Sequence, residues 1–153
     1  MRHPILATVA AASFALFVGA PRDADAQPSG PKADVTVLHG TPCPAKNIGP
    51  GVGEPPPVLF NCWVVKDHKT LALIQTTPGT MLLPNGRTFQ VAYNGPTNEK
   101  APRFKVATSI SKPDGSAGLN PLADFTAEPG KDFHVGGFLY GGGMLFIRIR
   151  IVP

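Results

Sequence analysis

Apolar and polar residues alternate with a period of two along most of the chain after its leading segment, and turn residues bound each alternating run. This pattern predicts strands at Val35 to His39, Val58 to Lys66, Thr70 to Gln75, Thr80 to Leu83, Arg87 to Tyr93, Arg103 to Lys112, Leu122 to Glu128, Phe133 to Tyr140 and Met144 to Val152. No later stretch sustains a helical period. Eight or nine short strands at this spacing predict an all-β domain, folded as an antiparallel sandwich or an open barrel.

Pro84-Asn85-Gly86 is the clearest local signal, because Asn-Gly between two alternating runs favours a hairpin turn; Thr80 to Tyr93 should be one hairpin. Lys112-Pro113-Asp114-Gly115 and Glu128-Pro129-Gly130-Lys131 punctuate later strands. In the last run Leu145, Ile147, Ile149 and Ile151 share one face and should line the core, while Phe146, Arg148 and Arg150 share the other. In Arg103 to Ile110, Phe104, Val106 and Ile110 point inward and Lys105 outward. Were those two strands neighbours, Lys105, Arg148 and Arg150 would form a basic stripe, either a binding face or simple protection of an exposed strand against aggregation. The tract from Gly136 to Gly143 lacks the Lys-Ser or Lys-Thr and the following helix of a phosphate cradle, so its glycines read as bulges, close packing and a final turn.

The first 26 residues have a different logic. Arg2 and His3 precede an uncharged, mostly apolar stretch from Ile5 to Ala20, and Ala24-Asp25-Ala26 offers small residues where a signal peptidase reads. The expectation is a cleaved secretory signal peptide over 1 to 26, a flexible mature N-terminus over 27 to 34, and a single domain over 35 to 153. The apolar run is shorter than the roughly 20 residues a spanning helix needs, which argues against a membrane anchor. The corresponding location is periplasmic or secreted.

Composition narrows the class further. Charged residues make up only 16% and hydrophobic ones 42%, which favours an ordered globular chain over a disordered one. Gly at 17 and Pro at 18 are both abundant, as many turns and irregular loops require. The net charge of +4 is unchanged by removal of Arg2, Arg22, Asp23 and Asp25. Because Lys and Arg are scattered, this mild basicity reads as a soluble surface rather than a nucleic-acid footprint.

Cys43 and Cys62 are the only cysteines, and in an oxidising compartment they should form one disulfide. Between them Pro44, Pro50, Pro55, Pro56, Pro57, Gly49, Gly51 and Gly53, with Pro42 just before, exclude regular structure up to about Val58. This clipped loop is either a contact surface or a connection held flat by its disulfide. The pair lacks the CxxC spacing of a redox site.

Catalytic and metal signatures are absent from the sequence. His39, His68 and His134 have no ligand spacing, though a site converging from distant positions could use them, and Cys62 lacks the His and Met neighbours of a copper centre. There is no GxSxG, and Asp34, Glu54, Asp67, Glu99, Asp114, Asp124, Glu128 and Asp132 are scattered singly, reading mostly as turn residues. No catalytic residue, metal ligand or cofactor is assigned.

Aromatic side chains that could grip a sugar or a protein are Trp63, Tyr93, Tyr140 and Phe146, with Phe138 beside them. Trp63 reads better as core, yet alternation sets it opposite Cys62. The sandwich resembles immunoglobulin-like domains in strand number, or jelly rolls, but Trp63 follows both cysteines, so the Cys, Trp, Cys order of true immunoglobulin domains is missing. The function expected is noncatalytic: binding an envelope or extracellular protein or acting as an accessory subunit, with a glycan or small-ligand module as the alternative and a hydrolase behind both. Candidate contacts are the loop from Cys43 to Cys62, the aromatics Trp63, Tyr93, Tyr140 and Phe146, and the cations Lys105, Arg148 and Arg150.

Overall fold

A computed structural model describes residues 30–153. The signal peptide expected over 1 to 26 and the start of the mature N-terminus lie outside the described residues. Within the described residues nine strands occur in chain order: β1 (Lys32–Thr41), β2 (Asn47–Ile48), β3 (Cys62–Ala72), β4 (Gly79–Leu82), β5 (Thr88–Pro96), β6 (Phe104–Ser111), β7 (Leu119–Ala127), β8 (Asp132–Tyr140) and β9 (Gly143–Val152). They form a five-stranded sheet ordered β2-β3-β1-β9-β8 and a four-stranded sheet ordered β4-β5-β6-β7. Every pairing among them is antiparallel except the short parallel contact of β2 with β3.

The two sheets enclose one apolar core, giving a β-sandwich. Ala33, Val35 and Val37 from β1 and Leu145, Ile147, Ile149 and Ile151 from β9 meet Phe89, Val91, Val106 and Ile110 of the opposite sheet. The alternation read in the last strand therefore holds, and each of its buried Leu and Ile side chains contributes about 1.5–3 kcal/mol by leaving water.

Three differences from the sequence expectation bear on the outer face of the larger sheet. The runs expected at Val58 to Lys66 and Thr70 to Gln75 are joined in a single strand, β3, which leaves Val58 to Asn61 and Leu73 to Gln75 outside it, and the polar stretch Lys66 to Thr70 runs through it, with a bulge where Val37 pairs Asp67 and Leu38 pairs Val65. This part of β3 has no strand beyond it, because β2 reaches only Cys62 and Trp63, so charge is tolerated there and protects the edge. The ninth strand is instead β2, inside the loop expected to lack regular structure. β1 begins at Lys32, so the last residues of the segment expected to be flexible are already paired with β3 and β9.

The turns follow local chemistry. Leu83 and Arg87 close the β4–β5 hairpin around Pro84-Asn85-Gly86, with the Asn85 Oδ1 accepting from the Arg87 N–H at 3.2 Å and Gly86 at φ +80°. At the bulge in β8, a Cβ on Gly136 would lie 2.6 Å from the Phe146 Cα, so the close backbone approach admits only glycine.

Candidate binding site on the outer face of the larger sheet

Pairing in the larger sheet decides which residues meet on its outer face. Gly40 opposes Trp63 and Met144, and Leu38 opposes Val65 and Phe146. The next two rows are polar: His68, Thr36, Arg148 and His134, then Thr70, Asp34, Arg150 and Asp132. The face is thus apolar at one end and polar at the other.

The disulfide loop lies over the apolar end. Leu38, Val52, Trp63 and Phe146 form a second buried cluster there, with Ile48, Phe60, Val65 and Met144 packed against it. Trp63 is only 2% exposed, its ring centroid 5.5 Å from Phe146 and 6.0 Å from Phe60, and its indole N–H donates to the Phe60 carbonyl at 3.0 Å. The conflict between Cys62 and Trp63 is thereby resolved: Trp63 faces away from the main core, yet the loop buries it. Cys43 and Cys62 are joined, with Cα atoms 5.8 Å apart. From the polar end Arg148 reaches under the loop and donates to the carbonyls of Val52 and Gly51 and to the Thr36 hydroxyl.

Beyond the edge of the loop an apolar cleft of about 540 Å³ opens against the β8–β9 hairpin, lined by Pro42, Phe60, Leu139, Tyr140 and Met144. Leu139 is 79% exposed, and Leu59, next to Phe60 in the chain, is 100% exposed. Its floor is held in place from below: the His39 Nε2 lies 3.0 Å from the Tyr140 carbonyl and donates to it, and the two rings meet edge to face.

The candidate residues separate accordingly. Tyr93 is buried against Phe104 in the main core, where desolvation raises its pKa, so it offers no ring to a ligand. Trp63 and Phe146 are likewise covered and cannot serve as sugar platforms. Lys105 lies on β6 in the other sheet, so no stripe joins it to Arg148 and Arg150. Arg150 is held by Asp132 in a two-pronged pair at 2.7 and 2.9 Å, which keeps the Asp132 carboxyl below its usual range. Among the described residues no group of three or more His, Cys, Asp or Glu could hold a metal ion. His39 faces the hairpin end, while His68 and His134 stand three strand spacings apart in one row, about 14 Å.

Four of the scattered carboxylates, Asp34, Asp67, Asp124 and Asp132, are on strands rather than in turns. Asp34 and Thr36 line a polar pocket; Thr36 lies on the outward face of the run from Val35, and extending that alternation one residue back puts Asp34 there too. Leu59 and Leu139 fall within runs read as strands, but alternation there does not reveal their exposure, because Leu59 lies before β3 begins and a bulge between Gly136 and Phe138 shifts the register ahead of Leu139. The chain matches no protein-family model, no curated protein and no solved structure.

Proposed function

We propose that this chain is an exported, noncatalytic binding domain that captures a partner protein at the cell envelope or outside the cell, through the cleft between the disulfide loop and the β8–β9 hairpin. The observation that carries this reading is the apolar cleft lined by Pro42, Phe60, Leu139, Tyr140 and Met144, with Leu139 largely exposed in it. An exposed apolar cleft of this kind suits a partner that inserts an apolar side chain. The loop is clipped by a disulfide, packed on Trp63 and tied to Arg148, so little ordering cost attends binding.

Export is supported by the signal-peptide pattern over 1 to 26 together with a disulfide that an oxidising compartment would preserve. Within two-sheet sandwiches we read the chain as immunoglobulin-like in strand number, nine among the described residues, while the uninterrupted order β4-β5-β6-β7 of its smaller sheet departs from the interleaved sheets of that kind.

The test places a photo-cross-linking residue at Pro42 in the full chain, expressed in its own host. One dominant protein adduct is expected, lost in Leu59→Asp and Leu139→Asp variants that still fold by circular dichroism. An adduct pattern unchanged by both variants overturns the assignment.

A further inference from the structure

The polar end of the outer face contains a pocket of about 220 Å³ lined by Asp34, Thr36, His68, Arg148 and Arg150. Its two arginines differ in one respect. Arg150 has its countercharge in Asp132. Arg148 donates only to neutral oxygens, those of Thr36, Gly51 and Val52, and among the described residues no carboxylate lies within ion-pair distance of it. Arg148 is therefore a fixed, half-buried cation with no carboxylate at ion-pair distance among the described residues, beside the buried Thr36 hydroxyl.

We propose that this pocket binds a small ligand carrying a carboxylate next to a hydroxyl, the pattern of a sugar acid. The carboxylate takes the charge of Arg148 in a charge-assisted hydrogen bond, with the Thr36 hydroxyl and the His68 ring at its sides. Asp34 supplies the second half of the selection. It already accepts from the Thr70 hydroxyl at 2.7 Å and has lone pairs left for a ligand hydroxyl, while its negative charge opposes a dianion such as sulfate more strongly than a singly charged carboxylate. Donor and acceptor in adjacent rows of one face match a hydroxy acid and mismatch both a bare dianion and an uncharged sugar, which would leave the Arg148 charge uncompensated. The site is separate from the apolar cleft, so either assignment can fail without the other.

Backbone amide shifts of the full-length protein, followed by NMR during titration with glucuronate, glucose and sulfate, test the pocket. Glucuronate should give saturable shifts centred on Thr36, His68 and Arg148, with glucose and sulfate at least about tenfold weaker. Thr36→Val should weaken glucuronate binding, and Asp34→Asn should narrow the gap between glucuronate and sulfate; neither touches the Arg148 bonds to the loop carbonyls. Arg148→Lys should abolish binding, with Trp63 fluorescence reporting whether the loop stays seated. Sulfate equal to glucuronate, shifts centred elsewhere, or binding untouched by Thr36→Val and Asp34→Asn would each refute the assignment.

Discussion

Trp63 and His134 show how much a single side chain on the outer face depends on its cover and its neighbours. Trp63 is almost fully buried, so Trp63→Ala should cost about 3–5 kcal/mol in chemical denaturation, a core-sized penalty at a position outside the main core. His134 lies beside Arg148, and its Nε2 is buried without a hydrogen-bond partner. Burial, assisted by the Arg148 charge and opposed by Asp132 and Glu54, lowers its pKa below the ordinary value of 6.5. The folded state therefore disfavours the proton: stability from neutral His134 is complete above 6.5 and declines as pH falls toward the folded pKa. Thermal melts should show a loss as pH falls from about 7.5 to about 5.5 that is smaller in His134→Gln. Trp63 was legible as core from its residue type. That it packs outward was not, because alternation gives the face and says nothing about what covers it.

At the scale of elements, the loop from Cys43 to Cys62 is a structural cover and not a removable connection. Replacing it with a short linker would bare Leu38, Trp63 and Phe146, so the expected result is a destabilised, dye-binding protein. The bridge alone, removed as Cys43→Ser with Cys62→Ser, should cost about 3 kcal/mol by the chain-entropy account, read from the shift of the unfolding midpoint. The strands facing the main core were legible because Leu145 to Ile151 and Phe104 to Ile110 keep strict alternation. β3 was misread as two strands because Lys66 to Thr70 lie on an unpaired edge, where no core imposes a pattern. β2 carried no signal at all, being two residues fixed by Trp63 and Cys62 rather than by their own propensity.

In the whole molecule, the sheet order explains why the candidate site could only be half read. Arg148 and Arg150 share a face by simple alternation, and their partners on it, Asp34, Thr36, His68 and Asp132, come from three other strands whose register no local rule supplies. Lys105 would join them only if β6 and β9 were neighbours, and the chain places those strands in different sheets. Their separation also divides labour: one sheet presents the cleft and the polar pocket on its outer side, and the other completes the core.

The second buried cluster also bears on the order of events as the chain matures. A reduced chain can close its sandwich, since no residue of the main core belongs to the loop. Until Cys43 and Cys62 join, though, the cover over Leu38, Trp63 and Phe146 is held only by Arg148 and the short β2–β3 pairing, so it opens more readily and bares apolar surface. Oxidation thus locks the cover over that surface, which makes thiol chemistry bear on solubility as well as on stability.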